Sequence, residues 1–348
     1  AQIDRRFRLS PLYRDKWERA DYREGTIGKA LAYWDCGLFL WRLHHGWWHR
    51  YLTTVWRRGE TKDLEGEVMK FLRHNFPGNA ATHSLRNVIA NLGATDIGLL
   101  PSYAKMPAWL KPGFPDAKDW VSASNCLRNV GLAAKRDIGA TMPHSPELFT
   151  TFALEYPYDP TATCPRFMQF IAEVQPSPEG QEILQLLFGL CLLPDTRYNV
   201  FFLLYGDGGT GKSTLMEILR NVVGQENVCT LPLFKFADKF SQHLLTQNLV
   251  NCCGDLPTSD DRTGIRQVEG ILKDVCSGGM LAVERKGVDP SQAPAIARCI
   301  FATNSLPPFA DRSSGIWDRM RIILFSQRFR GTKEQDKDLV SKLKAEAS

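Results

Sequence analysis

No apolar run in the 348-residue chain is long enough to cross a bilayer, and its first residues lack the basic, apolar, small-residue order of a secretory leader. Membrane insertion and secretion are therefore not expected. A C-x-x-C pair is also missing: the nine cysteines are scattered and odd in number, and no Cys/His group has zinc spacing. That excludes a disulfide scaffold or zinc module and points to reduced thiols in a cytoplasmic setting. Cys252 and Cys253 are neighbours in an apolar stretch that reads as a strand, so they face opposite ways and suit small buried hydrophobes better than a redox pair. His44, His45 and His49 crowd together, but no carboxylate or cysteine completes a metal site around them. The chain has no internal repeat, no low-complexity tract and no initiator methionine. It begins Ala1-Gln2-Ile3 and closes on a helix-like stretch, Leu339 to Ser348, that stops partway, which suggests a piece cut from something longer. A net charge of +5 and a pI near 8.7 are compatible with a nucleic-acid partner without establishing one. The length gives room for about two domains with cores that need no staple.

What is present is dominated by Gly206-Asp207-Gly208-Gly209-Thr210-Gly211-Lys212-Ser213, which fits G-x-x-x-x-G-K-[ST] at every fixed position. Ahead of it, Asn199 to Tyr205 is an unbroken apolar stretch of the kind that forms a parallel strand covered on both faces. Behind it, Leu215, Met216, Ile218, Leu219, Val222 and Val223 recur at helical spacing until Gly224. Strand, glycine loop and helix are in the order that lets backbone N–H groups, Thr210 and Thr214 among the residues carrying them, face a phosphate at the positive end of a helix. Lys212 then reaches the outer phosphates of ATP and Ser213 holds Mg²⁺.

Three further strand-like stretches follow: Leu249 to Cys253, ending at Gly254-Asp255; Ala297 to Thr303, ending at Asn304; and Arg319 to Phe325. Strands separated by helices or loops predict an open, largely parallel α/β sheet with its ligands beyond the carboxyl ends of the strands. Asp255 is the candidate acid for Mg²⁺ and the attacking water, with a turn role ahead of Pro257 as the alternative. Asn304 is the candidate amide beside the γ-phosphate, or else a turn former before Pro307-Pro308. Arg312, Arg319 and Arg321 are cations placed after that strand, as in ring ATPases whose arginine enters the neighbouring subunit's site.

Upstream, the first hundred residues read as mainly helical, broken at Pro77-Gly78 and Gly93. Trp34, Trp41 and Trp48 recur every seven residues, near one face of a helix beside Arg42 and Arg50, which suits either packing or base stacking. A Pro-punctuated connector follows, and Ser177 and Pro178 read as the N-cap and first residue of a helix that opens the second domain. The expected division is 1–175, a mainly helical N-terminal domain of collar or oligomerisation type, and 176–348, an ATPase domain.

The order of elements resembles a known family. Phosphate loop, Gly254-Asp255, Lys273 with Ser277-Gly278-Gly279, Glu284-Arg285-Lys286-Gly287, Ala302-Thr303-Asn304 and Trp317-Asp318-Arg319 look like a superfamily 3 helicase of the phage, plasmid and poxvirus primase-helicase type. Pro143-His144-Ser145-Pro146, Tyr156-Pro157-Tyr158-Asp159-Pro160 and Cys164-Pro165 are similar to the helical domain ahead of that motor. The resemblance implies an AAA+-like P-loop NTPase, usually a hexameric ring, that hydrolyses ATP to move along single-stranded DNA and open forked duplex, often with a primase or polymerase domain attached. For a phage or plasmid gene the setting is the bacterial cytoplasm. It gives Lys212, Asp255, Asn304 and Arg319 the catalytic roles, with Arg312 and Arg321 as rivals of the last. Lys286, with Arg285 and Lys273, falls where the family grips single-stranded DNA, and a lysine on a loop suits a backbone phosphate. Many relatives carry two adjacent acids where this chain has Gly254-Asp255, so Asp260 or Asp261 could assist. A P-loop switch that remodels a replication complex without unwinding is the alternative, and a small-molecule kinase a more distant one.

Overall fold

The computed structural model describes residues 29–30, 33, 41–44, 46–76, 82–94, 106–254, 256, 262–285, 288–307, 309 and 314–346. They fall into two compact units, one of residues 1–114 with 144–151, the other of 115–143 with 152–348. Among the described residues no helix is long and apolar enough to cross a membrane.

The first unit is not purely helical. Strands β1 (Trp41–His44), β2 (Trp47–Leu52) and β3 (Val55–Arg58) form an antiparallel meander, followed by helices α1 (Thr61–Asn75) and α2 (Thr82–Ala94). The seven-residue spacing of Trp41 and Trp48 therefore spans a hairpin rather than two helical turns. Leu43 pairs with Trp48 and Trp41 with Arg50. Aromatic and β-branched residues favour the pleated surface, and Gly46 at φ +73° supplies a tight turn that helical periodicity alone does not reveal. Both indoles are buried with Leu64, Val68, Phe71 and Val88, and Trp41 Nε1 donates to Glu67 Oε2 at 2.8 Å. Arg50 pairs with the same carboxylate at 2.9 Å. These tryptophans are core, not a base-stacking surface; Trp34 lies outside the described residues. Gly93 does not break α2 but lies inside it, where an added Cβ would stand 3.1 Å from Leu43 Cδ2. His44 and His49 pack edge-on against Phe149, His45 lies outside the described residues, and no metal-holding cluster occurs among the described residues.

The second unit is built on a parallel sheet. Its main elements are α3 (Pro165–Val174), α4 (Pro178–Cys191), β4 (Phe201–Tyr205), α5 (Lys212–Val223), β5 (Val228–Cys229), β6 (Val250–Cys253), α6 (Arg262–Cys276), β7 (Met280–Arg285), β8 (Val288–Pro294), β9 (Arg298–Thr303), β10 (Met320–Leu324) and α7 (Leu339–Glu346). The sheet order is β5-β6-β9-β4-β10, every neighbour parallel. The expected α/β class is present, and each expected strand lies within its predicted stretch. Ser177 caps α4 by accepting from Gly180 N at 3.0 Å, with Pro178 at the first helical position.

This unit reaches further back than residue 176. Gln175 Nε2 donates to Leu324 O at 2.7 Å, Tyr156 Oη to Val222 O at 2.9 Å and Asn227 Nδ2 to Ala153 O at 3.0 Å. The Pro-rich stretch that looked like a domain boundary is only the short link between α3 and α4, two helices of the same unit.

Asn251 on β6 is fully buried and clamps the chain at Leu231, accepting from its N–H at 2.7 Å and donating to its C=O at 3.0 Å. Asn251→Ala strands both backbone groups away from water and should destabilise the unit by about 3 kcal/mol. Urea unfolding measures this; an unchanged midpoint would show that the clamp contributes nothing.

Candidate nucleotide-binding site

The loop between β4 and α5 is shaped by three glycines with positive φ: Gly206 (+152°), Gly209 (+85°) and Gly211 (+96°). None of the three has room for a side chain either. A Cβ on Gly206 would lie 2.1 Å from Phe325 O, and one on Gly211 would lie 2.8 Å from Val174 Cγ1. Gly211 in the left-handed region is also the N-cap of α5 and brings no capping side chain, so the first N–H groups of that helix are left for an anion.

Lys212, only 7% exposed, bends back over the loop. Its Nζ donates to Gly206 O at 2.5 Å, to Asp207 O at 2.8 Å and to Asn304 Oδ1 at 3.1 Å. Thr210 Oγ1 donates to Asp207 O at 2.9 Å and ties the turn. Asn304 arrives here because β9 lies directly beside β4, with Thr303 level with Tyr205, so both strands deliver their next residues to one edge. Ninety-two positions separate Lys212 from Asn304 in the chain, and the sheet order removes that distance.

Around this pair opens a cleft of about 620 Å³. Its floor is residues 208–214 with Asn304 and Gly254; one wall is α3, through Arg166, Phe170 and Glu173, and another is the stretch after β10, through Phe329, Arg330, Glu334, Gln335 and Asp336. Ser213 is exposed and Thr214 half-buried, and both line it. Ser213 offers a hard oxygen beside the lysine, the donor type Mg²⁺ takes. Gly254 shows that the end of β6 opens into the cleft. The candidate acid Asp255 and its possible helpers Asp260 and Asp261 lie outside the described residues.

The charged walls are organised. Arg166 holds Glu173 at 3.4 Å and faces Asp336 at 3.9 Å. A hydrogen bond from Lys342 holds the Asp336 carboxyl below its ordinary range, helped by Arg166. Two carboxylate oxygens of Glu346 accept from Arg166 N and Phe167 N at 2.9 and 2.8 Å and cap α3 from the end of α7.

The remaining expected residues are placed elsewhere. Arg319 O accepts from Phe201 N at 3.0 Å, which puts it at the amino end of β4, the far end of the sheet from the phosphate loop. Its guanidinium donates to Gly315 O at 2.6 Å and Ser277 Oγ at 3.3 Å. Arg321 turns to Asp318 O at 2.7 Å, and Arg312 lies outside the described residues. Neither described arginine enters its own chain's cleft. β7 and β8 form an antiparallel hairpin whose last pair is Arg285 with Val288; Lys286 and Gly287, between them, lie outside the described residues. Lys273, on the last turn of α6, stands near the base of this hairpin, not at its far end.

Cys252 and Cys253 are both buried, and burial pushes the Cys252 thiol up to about 11, as suits a packed hydrophobe rather than a redox pair. Sequence reasoning missed Arg166, Glu173, Arg330 and Asp336. No motif or periodicity marks them; Arg166 and Glu173 reach the cleft because α3 packs at Gly211, and Arg330 and Asp336 because the stretch after β10 is bonded to Gly209.

A family model described as a family of unknown function (DUF5906) matches residues 204–320, from the end of β4 to the start of β10. A protein of Acanthamoeba polyphaga mimivirus named as a candidate helicase is 25% identical over 172 residues, 46% of this chain and 17% of that protein. A fowlpox virus (strain NVSL) protein named as a primase is 24% identical over 181 residues, 48% of this chain and 22% of that protein. The chain resembles the viral primase-helicases of superfamily 3. The matched stretch spans only about a fifth of each of these relatives. Two apo structures of the NrS-1 C-terminal region share the fold, with TM-scores of 0.52 and 0.51 at 12% and 13% identity, covering 87% of this chain and 62% of theirs.

Gly206→Ala should both strain the backbone and collide with Phe325 O, destabilising the protein by about 3 kcal/mol and removing nucleotide binding. Thermal melting with and without ATP measures both effects; a variant that melts and binds like the parent would show that this turn does not need glycine.

Proposed function

We propose that this chain is the ATP-hydrolysing motor portion of a DNA helicase acting in replication of a virus, phage, plasmid or other mobile element. It is read as an AAA+-like P-loop NTPase that works in the cytoplasm as a ring of copies, six by the habit of the family it resembles. The observation that carries this is the buried Lys212 ammonium held 3.1 Å from Asn304 above a glycine loop at the start of a helix. The names of the mimivirus and fowlpox relatives, a candidate helicase and a primase, support the replication setting.

In this reading the loop amides and Lys212 bind the phosphates of ATP, the ammonium exchanging the carbonyls of Gly206 and Asp207 for phosphate oxygens. Asn304 already accepts from that ammonium and orients the attacking water or the γ-phosphate from the side. Ser213 and Asp255 are the residues that hold Mg²⁺, which when bound neutralises charge on the phosphate oxygens. Arg319, anchored at the opposite end of the sheet, serves the neighbouring copy. The β7–β8 hairpin carries Arg285 and Lys286 toward single-stranded DNA, with Lys273 near its base. Phosphate contacts of this kind carry no sequence preference. Forked DNA is the substrate opened, and a primase or polymerase domain is the expected companion in the whole protein.

Lys212→Ala should abolish hydrolysis. Arg319→Ala should keep ATP binding but lose roughly a thousandfold in turnover, and mixing the two inactive proteins should restore part of the activity, since each contributes what the other lacks. Failure at every mixing ratio would remove the shared site. Strand displacement on forked DNA decides the rest: hydrolysis stimulated by single-stranded DNA without any displacement would favour a loading or remodelling switch over a helicase.

A further inference from the structure

We infer that Arg330 is a phosphate-contacting cation supplied by the chain to its own nucleotide cleft, a role that rests on the ATP-binding reading above. It belongs to no motif and follows the last sheet strand in a stretch without helical or strand periodicity.

Two observations carry the assignment. The first is where its backbone is fixed. Gly209 O, in the middle of the phosphate loop, accepts from Phe329 N at 2.9 Å and from Arg330 N at 3.2 Å. The contact is so close that a Cβ on Gly209 would lie 2.5 Å from Arg330 Cβ. Arg330 is therefore pinned by its backbone to the middle of the glycine loop, and its exposed side chain lines the same cleft as Lys212, Ser213 and Asn304.

The second is the state of the charges around it. Arg166 is paired with Glu173 and Asp336. Arg220 donates to Cys252 O at 2.9 Å and faces Glu217 at 3.6 Å. Glu173 also accepts from Gln169 at 2.8 Å, Asp336 from Lys342 at 2.8 Å, and Glu334 from the Thr332 hydroxyl. Lys212 is spread over two carbonyls and Asn304. Among the described residues, the Arg330 guanidinium meets no carboxylate and no carbonyl. A planar donor fork of fixed charge, anchored on a phosphate loop and committed to nothing else, matches the forked oxygens of a phosphate chain.

The contact differs from the one proposed for Arg319. Arg319 belongs to the far end of the sheet and needs a second copy, whereas Arg330 needs none. Its loss should therefore be felt in a single chain and should not be complemented by mixing.

The test compares Arg330→Met, which keeps the stem and removes the charge, with Arg330→Lys, which restores a charge, and with Lys212→Ala as control. Without nucleotide both Arg330 variants should melt like the parent, because no protein contact of the guanidinium is lost. Arg330→Met should bind ATP roughly ten- to hundredfold more weakly, as expected for one charge-assisted contact, and lose most of the ATP-induced rise in melting temperature. Arg330→Lys should recover part of both. Full ATP affinity in Arg330→Met, alongside lost binding in Lys212→Ala, would overturn this assignment and leave the ATPase reading intact. A fall in the nucleotide-free melting temperature with no rescue by lysine would also overturn it, making Arg330 structural. Binding unaffected in Lys212→Ala would sink the ATPase reading and this inference with it.

Discussion

The arrangement depends on one topological choice, the placing of β9 between β4 and β6. A chain that returned β6 directly to the side of β4 would set the end of the Gly254 strand against the phosphate loop and leave Asn304 outside. With β9 between them, Thr303 is level with Tyr205 and the amide of Asn304 reaches the buried ammonium of Lys212. That bond does more than join two strands. A buried ammonium is tolerated only when its donors are matched, and its acceptors here include two loop carbonyls and one strand-end amide. The lysine is held in place by groups that a polyanion can replace, so charge, position and exchangeability come from the same contacts.

The loop itself is supported from behind by the ends of the unit. Val174 of α3 packs where a side chain on Gly211 would go, and α3 is capped by Glu346 at the close of α7. The same helix reaches α5 through Lys344 to Glu217 at 2.6 Å. A carboxylate that accepts from two orphan N–H groups at a helix start interacts favourably with the helix dipole as well as with the donors. The segment after β10 adds Phe329 and Arg330 on Gly209. Residues that look like a tail in sequence thus brace the phosphate loop on two sides, and disturbance at Glu346 has a short physical path to Gly211.

Much of this was legible before any coordinates. The strand, loop and helix around Lys212 follow from an apolar run, three glycines that need positive φ and a 3.6-residue repeat, all local signals. The strand before Asn304 could be read for the same reason. What could not be read is what arises from packing between distant segments. Seven-residue tryptophan spacing is ambiguous between helix and hairpin, and it took the turn at Gly46 to separate Trp41 from Trp48 onto two strands. The loop at Pro176 looked like a domain boundary because proline marks chain breaks whether or not a domain ends there. Arg166, Glu173 and Arg330 line the cleft because α3 packs at Gly211 and the stretch after β10 at Gly209, and no repeat in the sequence encodes that.

The positions of the arginines bear on why such a motor would need company. In a parallel sheet all strand ends that receive ligands lie on one side, and Arg319 immediately precedes β10 on the other. With Met320 level with Phe201, about five residue steps of β4, roughly 16 Å at 3.3 Å per residue, separate the level of Arg319 from that of Tyr205, which is more than a side chain can fold back across a packed sheet. A second copy, by contrast, can set its own phosphate edge against that far end. Arg330 makes the contrast sharper, since its backbone is bonded to the glycine loop of its own chain. In the function proposed above, one cation meets the nucleotide of its own chain and the other is anchored where a neighbour's nucleotide would meet it. The first can set affinity, while the second can make turnover depend on assembly.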